Sequence, residues 1–273
     1  MTIPTLQEIS PDQLAAAADE NFVVHASWAQ RRTPGMSVMD DGHFLLTDSG
    51  LPCDTFNLLC RARLTPTTAS AHIAEALAYF RQVGRPFCWW VGPGDQPMAL
   101  GALLIAAGLE QAETELAMAV DLAKLPLYDL TLAGLVIRRA HTLPELNDFA
   151  NIMAANWSPP DPAVVYYYTR TAPALLAADA PQWFYVGYLN GQAVAAAELT
   201  VGGGVVGLYS ICTLAGYRRR GFGTALTLRP LPDAQAAGYR IGVLQAGAQG
   251  VGIYERIGFQ TYGGITEYKP PVI

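Results

Sequence analysis

The chain has 273 residues, 51% of them hydrophobic and 15% charged, which fits a globular protein with ample core for one large domain or two small ones. A net charge of −6 argues against nonspecific nucleic-acid binding, which needs a basic face. No breaker-free apolar run reaches about 18 residues, and the N-terminus has neither a basic start nor an apolar stretch, so neither a membrane span nor a signal peptide is expected. Cys53, Cys60, Cys88 and Cys212 are scattered, three of them in apolar strand-like runs, which reads as buried, reduced thiols in a cytoplasmic protein.

Pro11 to Arg32 opens on an alanine-rich run and predicts a helix that starts at Asp12-Gln13-Leu14-Ala15 and ends before Pro34-Gly35. Strands are expected at Met36–Met39, His43–Thr47 and Thr55–Leu64. A helix follows over Thr65 to Val83, with Ala69, Ile73, Leu77 and Phe80 at helical spacing. Pro86–Val91 reads as a strand whose Trp89 and Trp90 are core residues. Met98–Ala107 reads as a short helix, Gln111–Leu122 as a strand and Ala123 to Tyr128 as a linker. The second half starts with a strand at Gly134–Arg139 and a helix at Leu143–Trp157. Asp161 can cap a further helix over Ala163–Leu176, with Pro162 in its first turn. Trp183–Leu189 and Ala193–Val201 are strands joined by Asn190-Gly191, a strong hairpin signal. Gly202-Gly203-Gly204 turns the chain into a β-branched and aromatic strand from Val205 to Thr213.

That strand leads to Arg218-Arg219-Arg220-Gly221-Phe222-Gly223-Thr224, followed by a helix. Glycines at a strand-to-helix turn let an anion approach the backbone, and the free N–H groups and the dipole of the helix start favour negative charge. By itself this pattern also fits a tight turn beside a solvated basic run. No Lys follows the glycines, which counts against an NTPase phosphate loop. The next strand, Arg240–Gln245, ends without the acid that a dinucleotide fold carries roughly 20 residues on.

Arg218-x-x-Gly221-x-Gly223 resembles the Arg/Gln-x-x-Gly-x-Gly/Ala motif of the GNAT superfamily of N-acetyltransferases. Ala248 to Phe259 resembles the family's next helix, which ends in Tyr-x-x-x-Gly-Phe, here Tyr254 to Phe259. The resemblance covers about residues 133 to 270. It implies acetyl-coenzyme A as co-substrate, with its pyrophosphate on Arg218, Arg219, Arg220, Gly221, Phe222, Gly223 and Thr224. It also implies that the pantetheine arm lies along Ile211, Cys212 and Thr213, where the amide of Ile211 or Cys212 would face the thioester carbonyl. Tyr254 stands where the family carries the acid for the leaving thiolate; packing on an amphipathic helix is the other reading.

Many members carry a glutamate on the strand before the cofactor loop, but Tyr209 and Ser210 stand there. Glu198, on the preceding strand, is the nearest candidate base, beside a water relay or an outward-facing edge role. Pro230 and Pro232 fall where the family's helix continues; a helical proline costs about 3 kcal/mol, so a kink or restart is expected near Pro230. Tyr166-Tyr167-Tyr168 and Trp157 either pack or line an acceptor pocket. No histidine has ligand spacing, and no metal is expected.

Phe87–Val91, Met98–Ala107 and Gly108-Leu109 parallel Ile241–Gln245, Ala248–Ile257 and Gly258-Phe259. The turn Thr65-Pro66-Thr67-Thr68 stands where the arginine–glycine turn would be. The expected fold is therefore α/β (α+β): two tandem GNAT-like domains, each a mostly antiparallel sheet flanked by helices. Residues 1–125 would form a degenerate half without a cofactor loop and residues 130–273 the acetyltransferase half; two halves sharing only a generic pattern is the alternative. By the resemblance the protein is an N-acetyltransferase working by direct attack of a small-molecule amine in a ternary complex, with no nucleic-acid or membrane partner and with oligomers possible. The alternative is a non-catalytic acyl-coenzyme A binding or sensing module.

Overall fold

The computed structural model describes residues 5–125 and 132–271. Of the expected linker at Ala123 to Tyr128, the part from residue 126 onward lies outside the described residues. The first half runs α1 (Pro11–Ser27), β1 (Ser37–Asp40), β2 (Leu45–Asp48), β3 (Leu58–Cys60), α2 (Ala69–Val83), β4 (Cys88–Val91), α3 (Leu100–Ala106) and β5 (Glu110–Asp121). The second runs β6 (Leu135–Arg139), α4 (Leu143–Ala154), α5 (Pro162–Leu175), β7 (Gln182–Leu189), β8 (Gln192–Gly202) and β9 (Val205–Thr213). It closes with α6 (Phe222–Leu228), α7 (Pro230–Ala236), β10 (Ile241–Ala246), α8 (Val251–Ile257) and β11 (Gln260–Lys269).

Local chemistry sets these boundaries. α1 starts at Pro11 and is capped by Ser10, because the Ser10 hydroxyl accepts from Gln13 N–H at 3.2 Å and the Gln13 side chain accepts from Ser10 N–H at 3.0 Å. Asp161 accepts from Ala163 N–H at 2.8 Å and caps α5. Asn190 and Gly191, at φ +50° and +85°, make the two-residue turn between β7 and β8. The helix after the glycine turn breaks at Pro230 into α6 and α7, as its prolines require. The strand expected over Thr55–Leu64 survives only as β3. A 3₁₀ turn takes Asp54–Phe56, and Arg61 at φ +53° ends the extended run.

The two halves do not keep separate sheets. Among the described residues, all eleven strands form one sheet in the order β1-β2-β3-β4-β11-β5-β10-β9-β8-β7-β6. Each half ends by adding its last strand to the other: β5 pairs antiparallel with β10, and β11 pairs antiparallel with β4. β5 and β11 pair with each other at the centre, with Glu115 opposite Ile265. The helices preceding these strands end alike. Gly108 and Gly258 take φ +96° and +109°. Leu109 N–H reaches the Leu104 carbonyl at 3.1 Å, and Phe259 N–H reaches the Tyr254 carbonyl at 3.0 Å.

α1 ties the halves together a second time. Its Asn21 is fully buried and donates to the carbonyls of Thr200 (3.0 Å), Gly202 (3.1 Å) and Val205 (3.2 Å), while accepting from Tyr209 Oη at 2.8 Å. Gly207 permits this approach, because a Cβ there would collide with the Asn21 carboxamide. One core mixes Leu51 and Phe56 with Phe149, Tyr168 and Phe184, so neither half buries its apolar surface alone.

Candidate functional site

β9 and β10 run parallel from Val206 to Leu208 against Gly242 to Leu244, and no further pair follows. A bulge on β9 explains the parting. Ser210 takes φ +54°, and the register with β8 shifts between Ala196 and Glu198. Past the bulge, β9 stays paired with β8 through Cys212 and Thr213, but its other edge is open. The result is a groove of about 1530 Å³ between the diverging strands.

One end of the groove is the glycine turn. Gly221 takes φ +83°, which suits glycine. A Cβ on Gly223 would meet no atom within 4 Å, so backbone is exposed to the groove there. The first backbone bond of the turn runs from Ala225 N–H to the Gly221 carbonyl at 3.0 Å, which leaves the N–H groups of Phe222, Gly223 and Thr224 without intrahelical partners. Arg218 donates from Nε to the Thr213 carbonyl at 3.0 Å and lines the groove together with Arg219. Arg220 does not line it; its guanidinium lies over the rings of Phe222 and Tyr217. Phe222 borders the groove but is mainly core, at 3% exposure. Backbone donors, glycines and two guanidiniums are a fitting donor set for a pyrophosphate.

Ile211, Cys212, Thr213 and Tyr254 line the middle of the groove. The Tyr254 ring folds back over the start of α8, where a Cβ on Gly250 would lie 2.7 Å from Cε2. Burial, and then the neighbouring Cys212 and Glu115, push the Tyr254 phenol up to about 12. Burial likewise raises the Cys212 thiol, whose Sγ touches Asn156 Nδ2 at 2.9 Å.

Glu198 lies apart from the groove lining, on β8 and fully buried. Its Oε1 is held by His25 Nδ1 at 2.7 Å, Thr200 Oγ1 at 2.7 Å and Gln182 Nε2 at 3.1 Å. Burial pushes its carboxyl up, but the His25 charge and these hydrogen bonds outweigh that and hold it below the ordinary range. His25, stacked on Tyr209 at 3.9 Å between ring centroids, comes from α1 and had no signal in the sequence. Of the aromatic residues weighed for an acceptor pocket, Trp157 lines the groove. Tyr167 stacks on Phe56 at 3.6 Å, and Tyr168 packs edge-on against Phe149.

The far end of the groove is made by the first half. Trp90 of β4 and Glu113, Thr114 and Glu115 of β5 line it, brought there by the strand exchange. Sequence reading placed Trp90 in the core and gave the glutamates no role. The parallel between the Gly108 and Gly258 helix ends gives β5 and β11 like positions after their helices. Its neighbours are set by long-range pairing, which has no local signature.

The acetyltransferase (GNAT) family model matches residues 146–259. No curated protein matches the chain by sequence. Solved structures of the same fold include a GCN5-related N-acetyltransferase from Kribbella flavida, 18% identical, covering 93% of this chain and 96% of that one, with a TM-score of 0.70. A tandem GNAT protein from the clavulanic acid biosynthesis pathway is 13% identical, with coverage of 96% and 94% and a TM-score of 0.59. A GCN5-related N-acetyltransferase from Sphaerobacter thermophilus is 15% identical, with coverage of 100% and 96% and a TM-score of 0.57. The chain thus has the fold of these GNAT structures, and the match to the family model falls in the half that carries the glycine turn.

Proposed function

We propose that this protein is an acetyl-coenzyme A-dependent N-acetyltransferase whose reaction takes place in the second half. The observation that carries this reading is the parting of β9 and β10 into a groove with the glycine turn at one end and Tyr254 along its wall. The pyrophosphate would take the free N–H groups at Phe222 to Thr224 and the charges of Arg218 and Arg219. The pantetheine arm would add to the open edge of β9. An amide of that edge would then donate to the thioester carbonyl as its oxygen gains charge.

Tyr254 would protonate the departing thiolate. A phenol near 12 is a weaker acid than an exposed thiol near 8.5, which opposes the transfer in water. The same burial raises a thiolate's basicity, as the raised Cys212 thiol in the same groove illustrates, so the two values rise together. Direct attack by the amine is favoured over an enzyme-bound acyl group. Cys212 is the thiol that lines the groove, and at neutral pH its raised pKa keeps it protonated and poorly nucleophilic.

Calorimetric titration with acetyl-coenzyme A tests the reading. The wild type should bind on the order of micromolar. The Arg218→Ala, Gly221→Val double variant should bind at least about 100-fold more weakly, since it loses a charge and forces a β-branched residue into a left-handed conformation. Absence of binding by the wild type would overturn it. A non-catalytic acyl-coenzyme A sensor would bind equally well but release no thiol in the presence of amines.

A further inference from the structure

Glu115 is a groove residue that the reading above leaves without a task. It sits on β5, just beyond the last pair that β5 makes with β10, Ala246 opposite Leu116. Its Oε1 lies against the turn after β10, where a Cβ on Gly247 would come within 3.4 Å of it. Tyr254 lines the same groove and is close enough for the Glu115 charge to raise its phenol. Among the described residues, nothing donates a hydrogen bond to the Glu115 carboxylate, whereas Glu198 has three partners.

The internal repeat sharpens the contrast. Ile265 stands as far beyond Gly258 as Glu115 stands beyond Gly108, and the two residues face each other across the sheet centre. Ile265 is buried, with its Cδ1 3.8 Å from where a Cβ on Gly92 would be. An apolar packing position in one cleft is therefore a carboxylate in the other. A half-buried, unpaired carboxylate costs stability, so its presence asks for a role in the groove.

We propose that Glu115, supplied by the first half through the strand exchange, is the general base for an acceptor that arrives as a primary ammonium ion. The proposal rests on the acetyltransferase reading and adds the base and the charge of the acceptor. The carboxylate takes one proton from the bound ammonium, leaving a neutral amine. The amine nitrogen bonds to the thioester carbon, and the carbon–sulfur bond breaks as Tyr254 gives its proton to the thiolate. The second nitrogen proton returns to the Tyr254 phenolate, and Glu115 releases its proton to water. Glu113, exposed on the same strand, adds negative charge at the mouth, and Trp90 and Trp157 offer faces on which an ammonium can rest.

The titratable and charged groups facing Glu115 are Glu113 on its own strand, Glu267 on β11 and Tyr254 on α8; Arg256 lines the same groove. Burial, then Glu113 and Glu267, raise the Glu115 carboxyl to about 7. A base with that value is half-ionised at neutral pH, the range in which general-base catalysis is most efficient. Activity should therefore rise with pH through about 7, as Glu115 loses its proton.

The test compares the wild type with Glu115→Gln. Thiol release from acetyl-coenzyme A is measured with spermidine and with 2-phenylethylamine as acceptors, over pH about 5 to 9. Calorimetric affinity for acetyl-coenzyme A and the melting temperature are measured alongside. Glu115→Gln should lower kcat by about 100-fold or more and remove the acid limb, with coenzyme affinity and melting temperature retained. Retention of the rate, or of the acid limb, by Glu115→Gln overturns the assignment. A wild type that binds acetyl-coenzyme A but acetylates neither amine also overturns it, while the coenzyme reading stands. A wild type that does not bind acetyl-coenzyme A defeats the underlying reading itself.

Discussion

The cleft between β3 and β4 and the cleft between β9 and β10 are the same device in two conditions. Both begin with a short parallel pairing, and both have a residue at positive φ where the earlier strand ends or bulges: Arg61 in the first half and Ser210 in the second. In the second half the strands then part. In the first they are laced together again. Gln96 N–H donates to the Ala62 carbonyl at 2.9 Å, and Leu64 N–H donates to the Gln96 carbonyl at 3.1 Å. Asp95 accepts from Ala62 N–H and from Gly92 N–H, and Arg63 spans from the Gly94 carbonyl (2.8 Å) to Asp19 (2.7 Å). The backbone groups that a pantetheine arm would need are thus spent within the protein. The turn that would face a pyrophosphate is Thr65-Pro66-Thr67-Thr68, tied up in its own hydroxyl hydrogen bonds. The absence of a glycine turn and the closure of the cleft go together, and the first half supplies a wall and a carboxylate to its neighbour's groove.

The helix ends offer the largest test of this comparison. Tyr254 and Leu104 hold the same place before Gly258 and Gly108, yet Leu104 is fully buried and Tyr254 lines the groove. Leu104→Ala should cost about 2 to 5 kcal/mol of stability, read by denaturant unfolding, with coenzyme affinity intact. Tyr254→Phe should lower kcat by about 100-fold while affinity and stability hold. Equal effects on turnover from both would erase the distinction between the halves.

The contact between α1 and the second half has a pH signature. The folded-state pKa of Glu198 lies below its unfolded value, so its stabilising contribution is present above about pH 4.3 and is lost as pH falls through the folded value. Glu198→Gln should therefore be less stable than the wild type at pH about 7, by about 1 to 2 kcal/mol, and the gap should close in acid. Chemical denaturation at the two pH values checks this. A gap that persists in acid would mean that the loss is one of packing.

A further effect is expected at the closed cleft. A Cβ on Gly94 would run into the Asp19 carboxylate, so Gly94→Ala should cost about 1 to 3 kcal/mol by disturbing the Arg63 bridge. Acetyl-coenzyme A affinity should stay within about twofold, because the second cleft does not depend on that bridge. A larger change in affinity would show that the clefts communicate through β4 and β11.

Residues that act through their own backbone were legible in the chain. The glycine turn, the break at Pro230, the Asp161 cap, the Asn190-Gly191 hairpin and the repeated Gly108 and Gly258 helix ends each follow from torsional preferences within a few residues. So did the alternation of strands and helices that marked two like halves. The third strand of the first half was overestimated, because Thr55 to Leu64 has the composition of a strand while the bulge and the lacing at Arg61 to Arg63 depend on residues near position 95.

Pairing across long distances was decided by the tertiary structure alone. That β5 lies between β11 and β10, that His25 meets Glu198, and that Glu115 and Trp90 reach a groove in the other half are outcomes of sheet register. A strand's sequence reports its burial pattern and its period of two, but one apolar strand can satisfy the backbone groups of another in many combinations. The sequence by itself therefore determined most of the elements, the like helix ends and the glycine turn, through local backbone chemistry. Which strands border the groove, and which carboxylates line it, was settled by the shared burial of strands far apart in the chain.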